Sequence, residues 1–402
     1  MTKNTPNIRP FAPQNNSQTS TPDFGDVWIK DSNGSVAEQK DLTGRYCSKP
    51  FTWVEIDMYG RVWMCCPSWL PYSIGNILED DMKTIWNSEK AQQLRQQVFN
   101  GKWNYCNHIQ CPHIQDGSLP TLESIESGKY PSAIPEFKAV SNRSTIVEEL
   151  PTKINFSNDE SCNLKCPSCR IGKILFTSGK EYDKRKHIND RLIADFLTTP
   201  TDRKFSIHVT GSGDPFASKI YRDMLTSLKG SDFPNLVVNM QCNGIMFTPK
   251  MWDKIKNIHD NLGYIRISYD AAQKHTYENV TRLGGKWDLL LENCDFLNAR
   301  QIEYPNMKLS YDFVVQNDNF REMPAFVDLI RSRYNNATSL SFNLVTDWGT
   351  WDAAAYEEKC IWKTTHPNHD EFTQILKDPI FAYHKVSLGN VLPYREKALN
   401  GK

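Results

Sequence analysis

The chain has 402 residues, 47 basic and 47 acidic side chains, and a formal net charge of zero. That balance gives no support for a nucleic-acid partner or an anionic membrane as the binding surface. No apolar run approaches the roughly 18 residues of a membrane span, and Met1-Thr2-Lys3-Asn4 opens no secretory signal, so the cytoplasm is the expected compartment.

Residues 1–40 are rich in Asn, Pro, Ser, Thr and Gly without periodicity and read as a flexible leader. Residues 41–115 read as a small cysteine-rich α+β unit. Segments 52–57 and 61–66 are predicted strands joined at Met58-Tyr59-Gly60, and 80–99 is a predicted helix with Ile85, Trp86, Leu94 and Val98 inward. Residues 116–150 read as a connector. From 151 to 350 short apolar runs (153–156, 205–209, 236–241, 264–268, 309–315, 340–344) alternate with helical patterns at 190–197, 221–228, 250–258, 287–297 and 323–333. Six strands with interleaved helices predict a right-handed parallel α/β array. Its ligands should gather beyond the carboxyl ends of the strands. Residues 351–402 form a C-terminal extension with no legible chemistry, and the aromatic residues of 347–356 are expected to close the side of the array.

The eleven cysteines are about 3 % of the chain, below the roughly 8–10 % of a disulfide scaffold. They cluster, as metal ligands do. Cys47, Cys65, Cys66, Cys106 and Cys111 form one set and Cys162, Cys166 and Cys169 another, leaving Cys242, Cys294 and Cys360 as packing residues. Directly after the first predicted strand of the array stands Cys162-Asn163-Leu164-Lys165-Cys166-Pro167-Ser168-Cys169, a C-x3-C-x2-C loop. Three thiolates on one short loop suit a [4Fe–4S] cubane and leave one iron open to a further ligand. Structural zinc completed by a fourth residue is the alternative.

This loop resembles that of the radical S-adenosylmethionine (radical SAM) enzymes, and the resemblance extends over residues 153–344. Gly211-Ser212-Gly213-Asp214-Pro215-Phe216, after the second run, is similar to that family's glycine-rich acidic loop, which holds the methionyl amino group. Gln241-Cys242-Asn243-Gly244 resembles its Gln-Thr-Asn-Gly. Ser268-Tyr269-Asp270 ends the fourth run, and Tyr277-Glu278-Asn279-Val280-Thr281-Arg282-Leu283-Gly284-Gly285 is close to its Tyr-Glu-x-Ile-Arg-x-Gly-Gly. Three details depart from the family: Ser168 stands where an aromatic residue is usual, Asp214 replaces the commoner Glu, and one residue is inserted between Val280 and Arg282. The resemblance implies a partial (β/α)6 barrel and a cluster on Cys162, Cys166 and Cys169. It also implies cofactor contacts from Gly211, Gly213, Asp214, Asn243, Ser268, Asp270 and Arg282, with Asp270 the candidate catalytic carboxylate. The implied chemistry is reductive cleavage of S-adenosylmethionine to methionine and a 5′-deoxyadenosyl radical, which removes a hydrogen atom from substrate. The cofactors carry that chemistry and the protein orients them.

Upstream, Cys47-x12-Gly60-x4-Cys65 followed by Cys106-x4-Cys111 supplies four thiolates, enough to saturate a second cluster. With Pro50-Phe51-Thr52, Gly75-Asn76-Ile77 and Ile85-Trp86-Asn87-Ser88, this segment resembles the auxiliary iron–sulfur extension called SPASM, or its shorter twitch form, the better match because only one cluster's worth of cysteines is present; here it is placed before the barrel instead of after it. Cys65 and Cys66 are neighbours on a predicted strand and face opposite ways; the spacing favours Cys65. Zinc is again the alternative, with His108 and His113 available. Four cysteine ligands argue against substrate binding at an open iron of this cluster, leaving electron transfer or bracing.

The resemblance implies crosslinking, epimerisation or oxidation of a peptide or protein side chain, with a flavodoxin or ferredoxin-type electron donor. Dehydrogenation of a small molecule is the enzymatic alternative. A non-catalytic zinc or iron–sulfur scaffold is the alternative of another class.

Overall fold

The computed structural model describes residues 41–108, 111–115, 117–127, 142–210 and 212–401. The leader reading of residues 1–40 and most of the middle of the connector lie outside them. Among the described residues no helix is long and apolar enough to cross a membrane.

One ten-stranded sheet organises the molecule. Its strands are β1 (Trp53–Asp57), β2 (Arg61–Trp63), β3 (Ser73–Asn76), β4 (Lys153–Ser157), β5 (Phe205–Val209), β6 (Leu236–Cys242), β7 (Leu262–Ser268), β8 (Lys308–Val315), β9 (Ser339–Leu344) and β10 (Val386–Ser387). The order is β10-β9-β8-β7-β6-β5-β4-β1-β2-β3, with β4 to β9 neighbours in chain order and parallel throughout. The expected α/β class and six-stranded parallel array are borne out. Helices Lys180–Phe196, Lys219–Ser227, Trp287–Glu303 and Met323–Arg333 fall between successive strands, as the periodicity predicts. The fifth predicted helix, 250–258, is shorter: an α-helix over Pro249–Lys254 passes into 3-10 turns over Lys256–Asn261.

The cysteine-rich unit joins the same sheet. Strand β1 pairs in parallel with β4 over five residues, Trp53 opposite Lys153 through Asp57 opposite Ser157. Strands β2 and β3 continue the edge antiparallel. Two local expectations are corrected. The second strand ends at Trp63 and β3 is an added strand. The 80–99 helix is two, Met82–Trp86 and Glu89–Asn100, because the Ser88 hydroxyl caps the second by accepting from Ala91 N–H. Asn87 is turned instead to the chain at Val147, which donates its N–H to Oδ1 and accepts from Nδ2.

Residues alternate between two faces along the parallel strands. Ile154, Phe156, Ile207, Met240, Ile267, Phe313 and Phe342 are buried in the main core. The opposite face carries polar rungs: Glu55–Asn155–His208–Asn239, Arg266–Ser310–Ser339 and Ser268–Asp312–Ser341 are cross-strand neighbours. A sheet packed on both faces would read as continuous hydrophobic runs. Here the polar face is left as a trough, with Tyr264, Gln241, Arg266 and Asn343 exposed in it.

Buried Arg95 and half-buried His208 make this arrangement testable. Arg95 donates to the carbonyls of Pro50 (2.9 Å), Trp86 (2.7 Å) and Thr145 (2.6 Å) and to Asn87 Oδ1 (3.1 Å), and lies 4.4 Å from the Trp86 ring centre. Replacing it by Met strands those acceptors in the interior. Arg95→Met should cost about 3 kcal/mol, read as a lowered urea midpoint. His208 sits in the trough with its imidazole pushed from 6.5 down to about 4, by burial first and then by Lys49 and Lys153. The unfolded chain therefore binds the proton first, and stability falls as pH drops from about 6.5 toward 4. His208→Gln should flatten the acid limb of a stability–pH curve in that window.

Candidate functional site

Each motif after a strand lands at the carboxyl edge of the sheet, where parallel strands expose the ends of their loops. The loop after β4 is held rigidly. Asp159 Oδ1 accepts from Ser161 N–H (3.0 Å) and its hydroxyl (2.8 Å), and Oδ2 accepts from the Ser218 hydroxyl (2.6 Å). Glu160 takes a buried two-pronged ion pair from Arg185 (2.7 and 2.9 Å). Leu283 O accepts from Lys165 N–H (3.0 Å), so the segment after Arg282 clamps the loop from the far side.

Within this frame Cys162 and Cys166 are buried around Leu164, with Cys169 packed against them. Every sulfur meets an N–H donor. Cys162 accepts from Leu164 N–H (3.4 Å) and Asn243 Nδ2 (3.6 Å), Cys166 from Arg282 Nη1 (3.6 Å), and Cys169 from Arg170 Nη2 (3.4 Å). Burial pushes the Cys162 thiol up to about 12 and raises that of Cys166. A thiolate here needs a positive partner, which iron would supply. Among the described residues no group of three or more His, Cys, Asp or Glu side chains closes around one point as a single-ion site requires.

Gly211 lies outside the described residues. Gly213 is pressed on the cluster loop, where a Cβ would meet Ser161 O at 2.6 Å and Asp159 O at 2.7 Å. Its lack of a side chain therefore serves loop-on-loop contact. The Asp214 carboxylate is buried, accepting from the N–H groups of Phe216 (3.0 Å), Ala217 (3.0 Å) and Asn243 (2.9 Å). It fixes the β5 and β6 loops together, and through Asn243 the Cys162 sulfur. Asn243 also donates to Asn163 Oδ1 (2.9 Å).

Asp270 is not a solvated loop carboxylate. It is buried, in the left-handed region at φ 58°. Oδ2 is paired with Arg282 Nη2 (2.7 Å) and Oδ1 accepts from Val314 N–H (2.7 Å), while Asn319 donates to its carbonyl (2.9 Å). Burial pushes the pKa of its carboxyl up and Arg282 opposes that rise. Asp270, Arg282 and Cys166 thus form a chain of contacts. Ser268 stands apart, buried on the trough side opposite Asp312.

Sequence reading missed Arg170 and the Glu160–Arg185 pair. Arg170 directly follows the third cysteine, so position alone offered a signal. Arg185 is on the following helix and gave none.

At the other end of the sheet, Cys47, Cys65, Cys106 and Cys111 line one cavity walled by Trp69, Leu94, Val98, Trp103 and Leu119. Cys66 does not line it; burial and nearby Glu55 raise its thiol. Burial raises the Cys47 thiol to about 11 and pushes those of Cys65 and Cys106 well above their ordinary value, with mutual repulsion adding to the rise. Four sulfurs in a largely apolar cavity suit a fully thiolate-bound cluster. His113 also borders the cavity, bonded to the Ser118 hydroxyl through Nδ1 (3.1 Å), whereas His108 is hydrogen-bonded to Trp103 O (3.2 Å).

Residues 47–112 match the family model described as "SPASM: Iron-sulfur cluster-binding domain", so the expected SPASM-type domain is borne out there. Among solved structures the chain is similar to the radical S-adenosylmethionine methyltransferase TsrM from Kitasatospora setae, determined with cobalamin and a [4Fe–4S] cluster bound, at 12% identity and a TM-score of 0.36. That match spans 60% of this chain and 60% of that one. No curated protein matches. An iron–sulfur-binding SPASM domain therefore stands beside a parallel array that carries the three-cysteine loop.

The two neighbouring cysteines separate by experiment. Cys65→Ser should lower iron from about eight to about four per reconstituted chain, the content of one cubane, while Cys66→Ser keeps the full amount.

Proposed function

We propose that the chain is a radical SAM enzyme whose substrate is a peptide or protein segment laid along the polar trough. The observation that carries this reading is the packing of Cys162, Cys166 and Cys169 together at the carboxyl edge of β4, each sulfur met by its own N–H donor. Three sulfur donors fit a cubane with one iron left for S-adenosylmethionine. When bound, the cluster and S-adenosylmethionine supply the electron transfer and the hydrogen-abstracting radical.

The protein's own residues do the rest. Asp159, Glu160 and Arg185 stiffen the loop so that the three sulfurs keep one geometry. Asp214 holds the β5 and β6 loops at a fixed separation through backbone N–H groups. The trough offers hydrogen-bonding side chains in rungs, which suits a substrate with many amide groups to satisfy. The exposed side chains of Tyr264, Gln241, Arg266 and Asn343 along it support an extended chain over an enclosed small molecule.

The second set lies at the opposite end of the strands. Cys47 precedes the turn into β1, Cys65 follows antiparallel β2, and both sit at the amino edge of the parallel sheet. A substrate in the trough then lies between the two cysteine sets. With four thiolates the second cluster is closed, which supports a role in taking up an electron or bracing the unit over binding substrate.

Anaerobic reconstitution followed by assay of 5′-deoxyadenosine tests the proposal. Replacing any of Cys162, Cys166 or Cys169 by Ala should abolish release, whereas Cys47→Ala and Cys106→Ala should keep S-adenosylmethionine cleavage and lose substrate turnover. No 5′-deoxyadenosine from wild-type protein with both clusters loaded and reduced would contradict it.

A further inference from the structure

Arg170 is a buried cation with no carboxylate bonded to it. Among the described residues its guanidinium donates to Glu160 O (2.8 Å), Ser212 O (3.0 Å) and Cys169 Sγ (3.4 Å), and no ion pair with an acid involves it. A charge in the interior without an opposite charge is costly. The groups that draw on it electrostatically are the three cysteines of the loop, Cys169, Cys162 and Cys166, and, without a hydrogen bond or ion pair between them, the buried Asp214 carboxylate. Arg282 differs. It also reaches a cysteine sulfur, but its charge is matched by Asp270 at 2.7 Å.

Resting on the reading that this loop holds a [4Fe–4S] cluster, we infer that Arg170 sets the cluster's reduction potential, and that Asp270 tempers a second, masked contribution from Arg282. One-electron reduction adds a negative charge to the cluster and moves no atom between protein groups. A guanidinium beside a ligating sulfur stabilises that added charge and raises the potential, since hydrogen bonds to the sulfurs and net local charge are what tune such clusters. Arg170, with no direct ion pair, acts more fully in this sense. Arg282 acts only as far as Asp270 leaves its charge uncancelled. Both are positioning residues, because they touch ligand sulfurs and not substrate.

The test is an anaerobic redox titration of the reconstituted full chain, followed by electron paramagnetic resonance. The three-cysteine cluster is identified as the signal that changes on adding S-adenosylmethionine. Arg170→Gln should lower its midpoint by the equivalent of about tenfold in the reduction equilibrium, about 59 mV for one electron, and Arg170→Lys should recover part of the shift. Loaded Arg170→Gln protein with an unchanged or higher midpoint overturns the inference. If that variant does not retain the cluster, Asp270→Asn decides. A higher midpoint, from unmasked Arg282, supports the inference, and an unchanged or lower one overturns it. Wild-type protein with no S-adenosylmethionine-responsive signal would instead sink the cluster reading beneath it.

Discussion

Sulfur anions in a protein interior have to be matched by positive charge, and that constraint shapes both ends of this molecule. Burial raises the thiols of Cys47, Cys65 and Cys106 at one end and of Cys162 and Cys166 at the other. Each set is therefore expensive as thiolate and favourable only around a cationic core. The two ends meet this need differently. The upstream set has four sulfurs in an apolar cavity, a closed environment. The loop set has three, and is ringed by the guanidinium groups of Arg170 and Arg282 and the amide of Asn243.

The sheet sets how far apart these ends are. Because β1 runs parallel to β4 in register, the chain enters the sheet from the cysteine-rich side and leaves β4 at the loop with three cysteines. Hydrogen-bonded register fixes the offset between the two sites in a way that a linker would not. The polar rungs across β1 and β4 to β9 then line the path between them. Fold and site are thus one construction, in which the strands that pack Ile154 and Phe156 into the core present Asn155 and Ser157 to the trough.

Much of this was legible in the sequence. The six strands of the array announce themselves by apolar runs between helical patterns, and the C-x3-C-x2-C spacing marks the loop. What was hidden depends on partners distant in the chain. Nothing local in residues 53–57 reveals pairing with 153–157. The break at Asn87-Ser88 arises because Asn87 bonds to Val147, sixty residues away, while Ser88 caps the following helix. Strand β3 contains Gly75 because Ile85 packs where a Cβ would stand, at 3.0 Å, which leaves little strand propensity to read. Asp214 was legible as an important carboxylate but not as one turned inward, since the amides it holds belong to two different loops.

The central claim is that three cysteines hold a cubane with one iron open to S-adenosylmethionine. Mössbauer spectra of protein reconstituted with ⁵⁷Fe, recorded before and after adding S-adenosylmethionine, address it most directly. The account predicts that one iron of a single cluster changes its parameters while the remaining irons, including those of the second cluster, stay as they were. Spectra in which no iron responds, or a loop filled by zinc, would contradict it.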